Sequence, residues 1–315
     1  MTQIPTFTLA RTGDQIPALA MGSGTKHRIK KKAETDNPKE TATEELTQLL
    51  TDAITYAGFT HLDTAETYTT EVEVGEAIKR SKVDRSKVWI TSKYDSGWRV
   101  EYPASTPSGP YEALTKSLKK MDLEYLDLYL IHSPFFHPDI SYITVEEAWR
   151  QMEKLVEDGK TKNIGVSNFN TEMLEKILKV AKIKPQVDQI EFHLYLQNQS
   201  PGVVQFCQKN DILVEAYSPL TPILPHRITN GGPVDELVEK LIKKYGVTKN
   251  QLILRWVYQS GVLPVTTSSN KDRLKEALGM FDFTIDKEDF TELTELGATF
   301  HYRGFFNKYF EEGKI

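Results

Sequence analysis

Short β-rich runs alternate with amphipathic helical patterns from about residue 16 onward, and the apolar period switches repeatedly between about 2 and 3.6 residues. The strand-like runs fall at residues 17–24, 59–64, 88–93, 127–132, 163–167, 186–192, 212–218 and 263–268. Between two of them Val145, Ala148, Trp149, Met152, Leu155 and Val156 are spaced three and four apart, which sets one apolar stripe of a helix against a sheet. Asp158-Gly159-Lys160 then offers a glycine C-cap. Strands separated by helices pair in parallel. Eight such units close into a (β/α)8 TIM-type barrel, an α/β fold, and one domain over residues 1–315 fits the length such barrels reach.

Four segments break the alternation. Residues 6–16, with Thr12-Gly13-Asp14 at their centre, read as a hairpin ahead of the first barrel strand. Residues 26–43 read as a polar loop carrying Lys30-Lys31-Lys32, a basic run of the kind that is usually solvated, although it could also meet a cofactor phosphate. Residues 95–110 are rich in Ser, Gly and Pro and carry Trp98, and residues 219–233 hold four prolines. The last three follow barrel strands and so overhang the C-terminal face. We read them as walls of a pocket, against the alternative of solvated surface.

Composition narrows the function. The chain is 39% hydrophobic and 26% charged, as in globular proteins, and a net charge of −5 with interspersed signs argues against a nucleic-acid partner. No window approaches the roughly 20 apolar residues of a membrane span, and MTQIPTFTLA lacks the form of a signal peptide, so the expected compartment is the cytoplasm, with no membrane partner. The single cysteine, Cys207, excludes an intramolecular disulfide and reads as helix core.

Chemistry concentrates at the strand ends, where a parallel barrel builds its site. Asp63 closes one strand and Tyr68 follows it by five residues; Lys93 and His132 close two others. A partly buried Lys93 needs a carboxylate, and Asp63 on the neighbouring strand is the obvious partner. A cation near Tyr68 is expected to lower its pKa and make the phenol a better proton donor, with His132 orienting a carbonyl oxygen. A metal site is the competing reading, since His61 and Asp63 share a strand face and His132 or His193 could join them. A structural His61 beneath Asp63 is the simpler account, and we expect no metal.

The other strand ends suit a cofactor. Ser167, Asn168 and Gln189 offer a hydroxyl and two amides, and Tyr217, ahead of Ser218, offers a face for a flat heteroaromatic ring. Thr267, Ser268, Ser269 and Asn270, ahead of a helical pattern that carries Arg273, form an anion site of hydroxyls and free backbone N–H groups. No GxGxxG follows a strand, so a Rossmann site is not expected.

Taken in order, GFTHLDTAETYTTEVEVGEAIK, LYLIHSPF, IGVSNF, QVDQIEFH, EAYSPL and LILRWVYQSGVLPV resemble the aldo-keto reductases over residues 17–283. HSPFF, LPVTTSS and FDF look like the fungal branch of conjugated polyketone, ketopantoyl lactone and α-keto amide reductases. The resemblance implies a nicotinamide cofactor lying extended over the C-terminal face and hydride transfer to a small-molecule carbonyl. Tyr68 would be the proton donor, tuned by Lys93 and Asp63, with His132 positioning the carbonyl. Ser167, Asn168 and Gln189 would hold the carboxamide, Tyr217 would stack on the nicotinamide, and Gly24, Thr25, Lys26, Ser218 and Leu220 would line the cofactor. Where many members read IPKS, this chain has Leu263-Pro264-Val265-Thr266, so Ser268, Ser269, Asn270 and Arg273 become the candidates for a 2′-phosphate, with Thr267 beside them on the cofactor, and NADPH is favoured over NADH. The usual Glu-Asn pair near adenine reads Glu276-Ala277. Trp98, Phe135 and Phe136, with Phe305, Phe306 and Tyr309, would wall an apolar substrate pocket, unless these aromatics only anchor loops. Activated carbonyls such as 1,2-diketones, keto-lactones, α-keto esters or amides and aldehydes are the expected substrates, in a monomer or weak dimer. Broader aldose or aldehyde reduction is an alternative, and so is a cofactor-sensing regulatory protein like the potassium-channel β subunits.

Overall fold

The computed structural model describes residues 4–34, 36–99 and 102–312. Strands β1 (Thr6–Thr8) and β2 (Gln15–Pro17) form the expected antiparallel hairpin. β3 (Ala20–Gly22), β4 (His61–Asp63), β5 (Trp89–Tyr94), β8 (Leu126–Ile131), β9 (Thr161–Ser167), β10 (Val187–Glu191), β11 (Leu213–Tyr217) and β12 (Leu263–Thr266) pair in parallel in that order, and β12 closes on β3. All eight barrel strands thus fall on the runs read from the sequence. β6 (Gly97–Arg99) and β7 (Tyr102–Pro103) make a small ribbon inside the loop after β5, and residues 100 and 101 of that loop lie outside the described residues.

Helices α1 (Lys26–Glu34), α2 (Glu44–Asp52), α3 (Glu71–Ser81), α4 (Pro110–Met121), α5 (Pro138–Ser141), α6 (Val145–Glu157), α7 (Thr171–Val180), α8 (Val203–Lys209), α9 (Asp235–Tyr245), α10 (Lys249–Gln259) and α11 (Lys271–Ala277) fill the connections. Two more, α12 (Lys287–Ala298) and α13 (Asn307–Glu312), follow the last strand. α6 carries the apolar stripe read from its spacing: Val145, Ala148, Trp149, Met152 and Leu155 are buried, and a capping box of Thr144 with Glu147 starts the helix. Gly159, at φ 69°, takes the left-handed turn that ends it.

α1 corrects the sequence reading, which had residues 26–43 as a loop. Lys26 to Ala33 are mostly good helix formers, but the only large apolar residue among them, Ile29, is 72% exposed, so no apolar period marks the helix. An ion pair stands where an apolar stripe would. Lys31, 1% exposed, donates to Glu73 Oε2 at 2.8 Å and to the Thr69 carbonyl at 2.5 Å. Glu73 in turn accepts from both the backbone N and Oγ1 of Thr43 at 3.0 Å. Lys31 is therefore not solvated, whereas Lys30 pairs with Glu45 at the surface and Lys32 donates to the Thr67 carbonyl.

Two apolar layers hold the barrel. The larger lies between sheet and helices and includes Leu62, Ile90, Tyr129, Trp149, Ile190 and Trp256. The smaller comprises Ala20, Trp89, Leu128, Leu130, Val187, Leu263 and Val265, closed by Leu9 and Ile16 of the hairpin. These are inward-facing residues of the barrel floor, so the polar inward residues nearer the strand C-termini are left to build a site. Cys207 is buried in the outer layer, as its context implied.

Candidate active site

Alternation along each strand puts Thr91 and Lys93 of β5 on one face, as it does His61 and Asp63 of β4 and Glu215 and Tyr217 of β11. Asp63 is the register partner of Thr91, so Lys93 projects one layer higher on the same face. Lys93 Nζ reaches both Asp63 oxygens, at 2.7 and 2.8 Å, and the Thr64 carbonyl at 3.0 Å. Burial favours the neutral amine, but Asp63, Tyr68 and Glu215 outweigh it and leave the Lys93 pKa raised. The ion pair inferred from strand ends is present and complete.

Tyr68 ends the short 3-10 turn Glu66–Tyr68 that follows β4. The Lys93 ammonium stands 5.2 Å from its ring centroid. Tyr68 Oη lies 3.5 Å from His132 Nε2, and the two rings meet edge to face at 5.5 Å. Gly24 explains itself here: a Cβ on it would come within 2.5 Å of the Tyr68 ring. The expected lowering of the Tyr68 pKa is not found. Burial raises it, and the opposing pull of Lys93 and Arg28 does not compensate.

His132 follows β8, held by its backbone N to the Tyr94 carbonyl at 3.0 Å and by Asn168 Nδ2 on its own carbonyl at 2.9 Å. Burial, reinforced by Lys93 and Arg28, pushes its pKa well below the ordinary imidazole value, so the ring is neutral. Thr67 Oγ1 lies 3.3 Å from Nδ1. His61 lies below Asp63 with one ring nitrogen 3.3 Å from the Pro17 carbonyl and the other 2.9 Å from Thr91 Oγ1, and burial pushes its pKa down to about 4. His193 is engaged by Glu191 and the Tyr195 N–H. The histidines weighed as metal ligands thus bond to separate protein partners, and among the described residues no group of three His, Cys, Asp or Glu is placed to hold an ion.

The amides are more occupied than the sequence suggested. Gln189 Nε2 donates to Asp63 Oδ2 at 2.9 Å and to Glu215 Oε2 at 2.7 Å, which leaves only Oε1 to accept. Asn168, at φ 65°, donates to the His132 carbonyl and Ser167 Oγ and accepts from Tyr217 Oη at 2.8 Å and Gln199 Nε2 at 3.0 Å. Ser167 Oγ donates to the Gln189 carbonyl at 2.7 Å. Tyr217 ends β11, Ser218 follows it in the left-handed region at φ 56°, and Leu220 packs on the core.

Across the mouth, the hydroxyls of Thr25 and Thr267 are 3.0 Å apart, beside exposed Lys26. Ser268 Oγ accepts from Asn270 N at 3.0 Å and Arg273 Nε at 3.3 Å, with Ser269 exposed between. The free N–H groups expected at the start of α11 are partly spent, because Asn270 Oδ1 caps those of Asp272 and Arg273. Glu276 accepts from the Thr248 hydroxyl at the start of α10.

The aromatics divide. Phe135 is buried, 5.4 Å from Phe306 and 4.9 Å from Tyr309, and Phe136 packs on the core. Trp98 is 43% exposed and stacks on Tyr102 of the β6–β7 ribbon. Phe305 meets the Tyr217 ring edge on at 5.5 Å, because Glu191 accepts from the backbone N–H groups of Gly304 and Phe305 at 2.9 and 3.1 Å.

Sequence reasoning missed Arg28, Glu66, Thr67, Glu191 and Glu215. Parity could have found Glu215, two residues before Tyr217 on the same inward face. Glu66 accepts from Asp95 N and Ser105 Oγ, and burial with the nearby Glu71 charge pushes it up to about 8.

The family model for aldo/keto reductases matches residues 20–298. The chain is 45% identical to an NADPH-dependent alpha-keto amide reductase of Saccharomyces cerevisiae, over 92% of this chain and 90% of that protein. It is 40% identical to an NAD/NADP-dependent indole-3-acetaldehyde reductase of Schizosaccharomyces pombe, over 94% and 97%. A Bombyx mori aldo-keto reductase solved in complex with NADP superimposes with a TM-score of 0.80 at 29% identity, over 99% of this chain and 98% of that one. A parallel eight-stranded barrel, a Tyr, His, Lys and Asp gathered at its C-terminal mouth, and a match that runs through all eight strands together place this chain in the aldo/keto reductase family.

Proposed function

We propose that this oxidoreductase uses NADPH to reduce activated carbonyls, namely 1,2-diketones, keto-lactones and α-keto esters or amides, with aldehydes as poorer substrates. The yeast relative's name, an NADPH-dependent alpha-keto amide reductase, supports the class. The observation that carries the chemistry is the buried Asp63–Lys93 pair, set against a Tyr68 whose hydroxyl lies 3.5 Å from a neutral His132.

The residues present fit such a cofactor. Thr25, Thr267, Ser268 and Arg273 gather hydroxyls and a guanidinium suited to phosphate, and Gln189 Oε1, Ser167 and the Tyr217 face suit a ring bearing a carboxamide. When bound, the nicotinamide supplies the hydride. The protein moves the proton. A phenol is protonated at neutral pH, and burial, which raises the Tyr68 pKa, keeps it so, and Tyr68 enters the reaction as an acid. As its proton leaves toward the carbonyl oxygen, the phenolate that forms faces Lys93, and Asp63 keeps that lysine charged and in place. A Thr67 hydroxyl donating to Nδ1 leaves the His132 proton on Nε2, where it can hold the same carbonyl oxygen. Phe305 lies edge on to the Tyr217 ring, and Phe135 packs against Phe306 of the same tail.

The test follows loss of NADPH and NADH absorbance with isatin, ketopantoyl lactone, ethyl pyruvate, a simple aldehyde and an aldose. Fast NADPH-dependent reduction of the dicarbonyls and keto-lactone supports the reading. Turnover of aldehyde or aldose alone keeps the mechanism and discards the substrate class.

A further inference from the structure

Arg28 lies in the first turn of α1, half-buried, with its guanidinium carbon 5.6 Å from the Tyr68 ring centroid. Its helix neighbours Lys30, Lys31 and Lys32 are each tied to a carboxylate or a carbonyl. Among the described residues, Arg28 has no carboxylate within ion-pair distance. Its charge acts on Tyr68 and on His132, the two groups that bracket the reacting oxygen. Gly24 brings the start of α1 against the Tyr68 ring, and the Lys31–Glu73 pair fixes the helix behind it. Arg28 is thus anchored beside the proton donor with its planar fork uncommitted. Such a fork matches a carboxylate, or one carbonyl oxygen set beside another, far better than it matches a lone aldehyde.

We infer that Arg28 binds the oxygen that flanks the reacting carbonyl, and so selects 2-oxo acids, and less strongly their esters and amides, over simple aldehydes. The inference rests on the reading that reduction takes place at Tyr68. A full carboxylate charge gains most, because the guanidinium bonds it twice, whereas Asp95 feels the Arg28 charge without an ion pair to it among the described residues.

The test compares wild type with Arg28→Met, which keeps the helix and removes the charge, and Arg28→Lys, which keeps the charge and removes the fork. kcat/KM is measured for phenylglyoxylate, ethyl pyruvate and benzaldehyde, and the Kd for NADPH by quenching of protein fluorescence. The ratio of phenylglyoxylate to benzaldehyde should fall about tenfold or more in Arg28→Met, less for the ester, and recover partly in Arg28→Lys. The Kd for NADPH should stay at the wild-type value. An unchanged ratio overturns the assignment. A raised Kd with equal losses on all three substrates overturns it too, and gives Arg28 to the cofactor phosphates instead. Wild type that reduces none of the three fails at the level of the underlying reading, which a normal wild-type rate with an unchanged ratio does not.

Discussion

Asp63 and Glu215, carboxylates on two different barrel strands, accept hydrogen bonds from the same amide nitrogen of Gln189, at 2.9 and 2.7 Å. Among the described residues only one ammonium, Lys93, is there to balance them. Asp63 takes it directly, so Glu215 is the group displaced, its pKa pushed up to about 7 by burial and then by the Asp63 charge.

This gives a pH dependence of definite sign. Folded Glu215 holds its proton more tightly than the unfolded chain does, so its contribution to stability is full below about pH 4.5 and is lost as pH rises through about 7. His61, pushed down to about 4, works the other way, since stability is lost as pH falls from about 6.5 toward 4. In Glu215→Gln the loss on the alkaline side should shrink by the Glu215 share, leaving that of Glu66, whose pKa is pushed up to about 8, and the loss on the acid side should remain. Melting temperatures of both proteins measured from about pH 5 to about pH 9 check this. Parallel curves for the two proteins would show that Glu215 does not titrate in that range.

Tyr68→Phe should lower kcat by about 10² to 10⁴, the worth of a positioned proton donor, while NADPH still binds. Fluorescence titration alongside turnover separates the two. Full activity in this variant would remove Tyr68 from the chemistry.

Lys93→Met should behave differently, because it leaves Asp63 charged and buried. Lys93 is 0% exposed and Asp63 3%, and stranding one member of so buried a pair costs about 3–5 kcal/mol. The variant should therefore lose stability as well as turnover, whereas Tyr68→Phe loses turnover alone. Denaturant midpoints of the two variants decide it.

The barrel was legible because its signals are local. Eight runs of β-branched and aromatic residues separated by helical stripes leave little choice of topology, and strand-end chemistry at Asp63, Lys93 and His132 follows from the same reading. What stayed hidden depends on partners distant in sequence. Lys31 looks like one more solvated lysine until Glu73, 42 residues away, takes it into the interior. The Tyr68 pKa was misjudged because a nearby cation can be inferred from sequence, but the depth of burial that outweighs it cannot. Asn270 reads as a ligand for anions, yet its Oδ1 caps its own helix and so occupies two of the N–H groups that an anion there would meet.

Lys31→Met should leave Glu73 buried with only its Thr43 contacts, at a cost of about 3 kcal/mol or more. The other ties of α1, from Lys30, Lys32 and Arg28, are exposed or half-buried, so it should become the first site cut in limited proteolysis. Adding Glu73→Gln removes the stranded charge and should restore part of the stability. A double variant no better than the single one would mean that the Thr43 contacts, not the ion pair, fix this helix.

Glu191 offers the last test, because it joins the barrel to the tail. Its buried carboxylate accepts from the backbone of both Gly304 and Phe305 and so holds Phe305 edge on to Tyr217. Glu191→Gln keeps the shape but replaces one accepting oxygen with an NH2 group that faces the same N–H donors. The tail should loosen without disturbing Tyr68, Lys93 or His132. Trypsin should then cut after Arg303 faster than in wild type, and NADPH should dissociate faster as the edge of the Tyr217 ring is uncovered. If cleavage quickens and dissociation does not, the tail shapes the substrate pocket but takes no part in retaining the cofactor.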